Sequence, residues 1–156
     1  VLQQDDGVGA PLAANQLTSN DDLLQTWMGI GSQIDGLGHL GINHRYYNGK
    51  HASEFVTVTG LTSFGIESLP PIVTRGVLIN MASHLRHEIL DAMPGEQPDE
   101  MFPAHQELLA RHGVYILENM DTRELAADGA TEFLFVLGQP RLVGAVQAII
   151  NPVAIR

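Results

Sequence analysis

Residues 103–138 read PAHQELLARHGVYILENMDTRELAADGATEFLFVLG, and the fold class turns on how this run divides. His105, Leu108, Leu109 and His112 fall at i, i+3, i+4 and i+7, the spacing of one helix face, and Gly113 stands where a left-handed cap would end that helix. VYILEN (114–119) reads as a strand, DTRELAADG (121–129) as a short capped helix, and TEFLFVLG (131–138) as a second strand. Alternation of this kind predicts an α/β domain.

Working outward, AIINPVAIR (148–156) adds a further strand. Upstream, the two prolines of SLPPIVTRGVLINMA (68–82) block a helix start at Ile72, so the β-branched run IVTRGVLI (72–79) is expected to be a buried strand. HASEFVTVTG (51–60) fits a short helix followed by an extended run. Residues 1–20 are polar, broken by Gly and Pro and without period, the pattern of an extended arm preceding a single domain over 21–156.

Composition narrows the function. The chain has 156 residues, 44% apolar and 17% charged, the balance of one globular domain with one core. Its formal charge of −10, with no cluster of Lys or Arg, leaves nothing to bind a phosphate backbone, so nucleic acid and anionic membrane are excluded as partners. There is no cysteine, which removes disulfides, thiolate metal sites and a cysteine nucleophile and agrees with a cytoplasmic setting. No apolar run approaches the roughly 20 residues that span a bilayer, and residues 1–28 lack the pattern of a signal peptide. The first residue is valine, so the native start stays open.

The chemistry concentrates in GIGSQIDGLGHLG (29–41), where Asp35 and His39 lie four apart among glycines. Taken alone, Gly36 and Gly38 fit turn residues, Asp35 a carboxylate bonded to backbone, and His39 a partly buried imidazole, because D-x-x-x-H arises often by accident. GSQIDGLGH (31–39) nevertheless resembles a variant of the H-x-G-T-H-x-D-x-P-x-H signature of the cyclase family of metal-dependent hydrolases, which includes kynurenine formamidase and isatin hydrolase. The likeness continues through YYNG (46–49), LPPIVTRGVLI (69–79), FPAHQELL (102–109), GVYILENMDTRELAADG (113–129) and EFLFVLGQPRLVGAVQAIINPVAIR (132–156).

That resemblance implies a swivelling β/β/α fold, with a mixed sheet tending to a barrel, flanking helices, and a metal site between strand ends and one helix. Asp35 matches the signature's metal-binding aspartate and His39 its final, proton-shuttling histidine. The two earlier histidine positions fall on Gly29 and Gln33, and Leu37 replaces the proline. The family's later metal pair is matched by His105 and Glu118. Asp35, His105 and Glu118, with Gln33 able to add a neutral oxygen, can complete one divalent ion, Zn²⁺ or Mn²⁺ before others. The glycines would then let backbone and carboxylate approach metal and substrate closely.

Two functions follow. The first is a metal-dependent hydrolase of a small amide, lactam or related acyl substrate, using a metal-activated water with His39 as general base and acid. The second is a non-catalytic binding or assembly module with a decayed metal site, favoured by the two lost histidines. The remaining histidines, His44, His51, His84, His87 and His112, show no ligand spacing, and Ser32 lacks the nucleophile-elbow glycines. Trp27, Tyr46, Tyr47 and Phe55 fit either core packing or the lining of a pocket for a planar substrate. Relatives are longer between the IVTRGVLI strand and the FPAHQELL helix, so the chain reads as shortened or discontinuous near 83–88. A homodimer or higher homo-oligomer is expected to cover the sheet edge this leaves.

Overall fold

The computed structural model describes residues 2–3, 14–17, 20–21, 25–79 and 101–156. Of the predicted arm it gives a backbone pairing of β1 (Leu2–Gln3) with β2 (Asn20–Asp21) and a turn at 14–17. The connection over 80–100, with His84, His87 and the expected break near 83–88, lies outside the described residues.

Two three-stranded antiparallel sheets dominate. One has β3 (Gln33–Asp35) at its centre, between β7 (Ile116–Glu118) and β9 (Gln147–Ile149). The other sets β8 (Glu132–Leu137) between β6 (Ile72–Val77) and β10 (Val153–Ile155). A short hairpin joins β4 (Val56–Thr57) to β5 (Gly60–Leu61). The α/β class holds, but in place of a mixed sheet tending to a barrel the described strands form separate, open sheets whose pairs are all antiparallel. The split has a local cause in AIINPVAIR. Pro152 has no N–H to give a ladder, so the run breaks at Asn151–Pro152 and its halves, β9 and β10, enter different sheets.

The core lies where the sheets face each other. Ile34 of β3, Ala148 of β9 and Leu137 of β8 are buried together with Ile66 and Ile150, and Ile72, Leu117, Phe135 and Met120 pack around them. The expected strand over 72–79 forms as Ile72–Val77, but it is not buried: Val73 is 64% exposed and Val77 54%. Only Ile72 and Gly76 are half-buried, and Thr74 between them is exposed. Val73, Arg75 and Val77 share the outer face with Leu134, Val153 and Ile155, all exposed, and β6 pairs with β8 alone among the described strands.

The predicted helix at 103 begins at Pro103 as α1 (Pro103–His105), continues in π geometry over Gln106–His112, and ends on Gly113 at φ 66°. Closing hydrogen bonds i→i+5 widens the turn, so the sequence spacing of His105, Leu108, Leu109 and His112 does not survive as one face. His105 and Leu109 are buried; Leu108 and His112 are exposed, and His112 pairs with Glu107 at 2.8 Å. The short helix in DTRELAADG is α2 (Arg123–Ala127). Asp121, one residue before the Thr122 N-cap, accepts from Arg123 N at 3.1 Å and grips the Arg123 guanidinium, which draws the Asp121 carboxyl down to about 2. No helix of the described residues is long and apolar enough to cross a membrane.

Gly36 and Gly38 have a different purpose from the one expected of them. They are buried against the protein's own packing and not opened to a substrate: a Cβ on Gly36 would lie 2.9 Å from both the Val146 carbonyl and an Ile66 methyl, and one on Gly38 would strike Leu61. Gly36 N also donates to Val146 O at 2.8 Å, locking the end of β3 to the approach of β9. Gly36→Ala should therefore cost about 1–3 kcal/mol through overpacking. Denaturant titration would show a lower midpoint with an unchanged slope.

Candidate metal centre

Strand β3 carries the sequence Gln-Ile-Asp, and its period of two separates the three residues cleanly. Ile34 enters the core, while Gln33 and Asp35 share the opposite face. Register then selects their neighbours, since directly paired residues stand on the same face: Gln33 opposes Glu118 on β7, and Asp35 opposes Gln147 on β9. Four polar side chains thus gather on one side of a sheet whose other side, through Ile34, Leu117 and Ala148, is core.

His105 meets this face from the α1–π segment. Its Nε2 is 3.3 Å from Asp35 Oδ2 and 3.2 Å from Glu118 Oε1, and one donor atom from each of Asp35, His105 and Glu118 lies within 4.8 Å of the others. His105 is held edge-on by the Phe102 ring at 5.3 Å. Phe102 sits at φ 54°, a left-handed conformation that costs a bulky residue about 1–2 kcal/mol, directly before Pro103. His39 comes from the turn after β3, where its N–H donates to Gly36 O at 3.0 Å, and its Nε2 reaches 4.0 Å from Asp35 Oδ2. Burial holds the His39 imidazole below its ordinary pKa, against the Asp35 carboxylate, which favours the charged form.

Asp35 is completely buried. Its Oδ1 accepts from Gln147 Nε2 at 3.0 Å and, at 3.4 Å, from Gln33 Nε2, whose shorter bond of 3.1 Å goes to Glu118 Oε2. Asp35 Oδ2 and Gln33 Oε1 are buried without a hydrogen bond. Two buried acceptors beside a second carboxylate are unfavourable unless a cation, a water or another donor meets them. One nitrogen and several oxygens is a donor set that suits Zn²⁺ or Mn²⁺, so the residues present fit a single divalent ion.

The structure therefore brings together Asp35, His105, Glu118 and Gln33, with His39 beside them. Gln147 is the member that sequence reading missed, because only the β3–β9 register sets it opposite Asp35. The remaining candidates stay apart. His51 caps a turn, its Nδ1 accepting from Ser53 N at 3.2 Å; Ser32 Oγ donates to Asn119 O at 2.8 Å. Phe55 is core and Trp27 is 89% exposed. A cleft of about 480 Å³ beside α2 shares none of the cluster's residues, and two of its acids, Asp121 and Asp128, are neutralised by Arg123 and Arg156.

Among solved structures, the chain is similar to one described as the crystal structure of a novel cyclase, at 18% identity and a TM-score of 0.71. The match covers 97% of this chain and 77% of that one, so the two share a fold. No family model and no curated protein matches the sequence.

Divalent metal should stabilise this chain measurably. With Mn²⁺ or Zn²⁺ at a hundred times its dissociation constant, linkage gives about 2.7 kcal/mol, read as a raised thermal midpoint. Asp35→Asn and His105→Ala should each remove most of that increment, and calcium, a poor match to a histidine-containing set, should give little.

Proposed function

We propose that this chain is a metal-dependent hydrolase of a small amide, lactam or related acyl substrate. The observation that carries the reading is the buried, unsatisfied Oδ2 of Asp35, placed with His105 and Glu118 so that one donor atom from each lies within 4.8 Å of the others, where one cation would satisfy it. Asp35, His105 and Glu118 would hold the ion, and Gln33, whose NH₂ donates to Asp35 and Glu118, would offer its carbonyl oxygen only with its carboxamide turned over. A divalent ion supplies Lewis-acid polarisation of a carbonyl and makes water more acidic at neutral pH.

The chain's own residues supply the rest. His39, partly exposed and kept neutral by burial, is the group able to accept a proton and return it to a leaving nitrogen. Deep burial of Asp35 and His105 excludes bulk water from one side of the centre, while Glu118 and His39 stand on its accessible side. The likeness to a structure described as a cyclase supports this reading at the level of fold.

We also propose that a second copy covers the outer face of the β6–β8–β10 sheet. Val73, Val77, Leu134, Val153 and Ile155 form an exposed apolar surface there, and its one charged couple, Arg75 with Glu132 at 3.5 Å, is neutral on a chain of net charge −10. Light scattering at micromolar concentration should report a dimer or larger assembly, and Val153→Glu should yield monomer. A monodisperse wild-type monomer would count against it.

Turnover tests the main proposal. Chelator-treated protein given Mn²⁺ or Zn²⁺ should hydrolyse a member of a panel of N-formyl aryl amides and cyclic imides. His39→Ala should then lower kcat by about 10²–10⁴-fold while leaving metal content unchanged. Metal binding without hydrolysis across the panel would favour a binding module instead.

A further inference from the structure

Gln147 lies outside the 29–41 signature and takes no role from it, yet it makes the shortest hydrogen bond to the buried carboxylate, 3.0 Å from its Nε2 to Asp35 Oδ1. A carboxylate only accepts, so this contact fixes which end of the Gln147 carboxamide is the NH₂. The same nitrogen lies 3.3 Å from His39 Nε2. An NH₂ group with one hydrogen committed to Asp35 has one left, and His39 Nε2 can receive it only as a lone pair, which puts the imidazole proton on Nδ1. Space for the side chain is provided by Gly29: a Cβ on that residue would stand 2.7 Å from Gln147 Oε1 and 3.2 Å from Nε2.

Gln33 cannot replace it. Its own NH₂ bonds Glu118 more closely than Asp35, 3.1 Å against 3.4 Å, so without Gln147 Asp35 Oδ1 would keep one long bond, leaving the His105 contact at Oδ2 as the carboxylate's closer hold. We infer that Gln147 is a positioning residue which, in the space left by Gly29, ties down Asp35 Oδ1 so that Oδ2 stays turned toward His105, and holds His39 with its Nε2 lone pair accepting from the Gln147 carboxamide and its proton on Nδ1. This rests on the proposed metal centre. Groups that orient a ligand in this way typically change metal affinity by about 10–100-fold.

The test uses the full chain and Mn²⁺ or Zn²⁺ alone, titrated by calorimetry, with the metal-free thermal midpoint as a check on folding. Gln147→Met keeps length and bulk without the donor, and Gln147→Ala removes both; each should weaken binding at least about tenfold. Gly29→Ala, whose methyl would push the carboxamide away, should weaken binding in the wild-type background and add nothing to Gln147→Ala. Nitrogen NMR of the metal-free protein should show His39 Nε2 unprotonated in the wild type, a preference lost in Gln147→Met. Wild-type affinity in Gln147→Met, or a wild-type His39 carrying its proton on Nε2, overturns the inference. If Gln147 variants bind within twofold of wild type while His105→Ala does not bind, the positioning role fails and the metal centre stands. If the wild type itself binds no ion, both fall.

Discussion

The structure depends on a carboxylate buried at the centre of a sheet. β3 is three residues long, yet its alternation decides two environments at once: Ile34 completes the core between the sheets, and Asp35 is carried into a position with no exposure at all. Moving an ionised carboxylate out of water is costly unless hydrogen bonds and charge replace its hydration. Gln147 and Gln33 satisfy one oxygen. The other is left for His105, from the helical segment, and His39, from the turn after β3, with Glu118 of the neighbouring strand within reach of the same His105 nitrogen.

Much of the surrounding architecture follows from keeping that position fixed. The ends of β3 are tied by Ile150 N to Ser32 O at 2.9 Å on one side and by Gly36 N to Val146 O on the other, so the central strand cannot slip against β9 without breaking both. A slip of one residue would turn Asp35 into the core and Ile34 into the site. The π turn after α1 belongs to the same requirement: it puts His105 over the sheet while Leu109 remains buried below, anchoring the helical segment. The αL conformation of Phe102 is a local cost borne where the ring that flanks His105 must be placed.

The two sheets have opposite fates. The β7–β3–β9 sheet is covered on one side by core and on the other by the polar cluster and the helical segment. The β10–β8–β6 sheet has its inner side, with Leu137, Phe135 and Ile72, in the core, and its outer side exposed despite being equally apolar. Exposed Val, Leu and Ile side by side on one sheet face are the ground on which a second copy is proposed as its cover.

The sequence by itself determined the kind of elements and the identity of the metal-binding candidates. Strands at 116–118 and 132–137, the helix start at Pro103 and its stop at Gly113 follow from local preferences that act over a few residues, and Asp35, His39, His105 and Glu118 were legible because their motif resemblances are local too. Burial was not legible, since apolar content is the same whether a strand face meets another sheet or solvent; hence Val73 and Val77 lie outside where a buried strand was expected. Nor was the purpose of Gly36 and Gly38, which depends on Val146, Ile66 and Leu61 from distant parts of the chain. The π register and the separation of β9 from β10 into different sheets lay beyond pattern reading as well. Above all, only the tertiary structure brought Gln147 opposite Asp35, because strand register is set by long-range pairing across 112 residues of sequence and leaves no periodic trace in either segment.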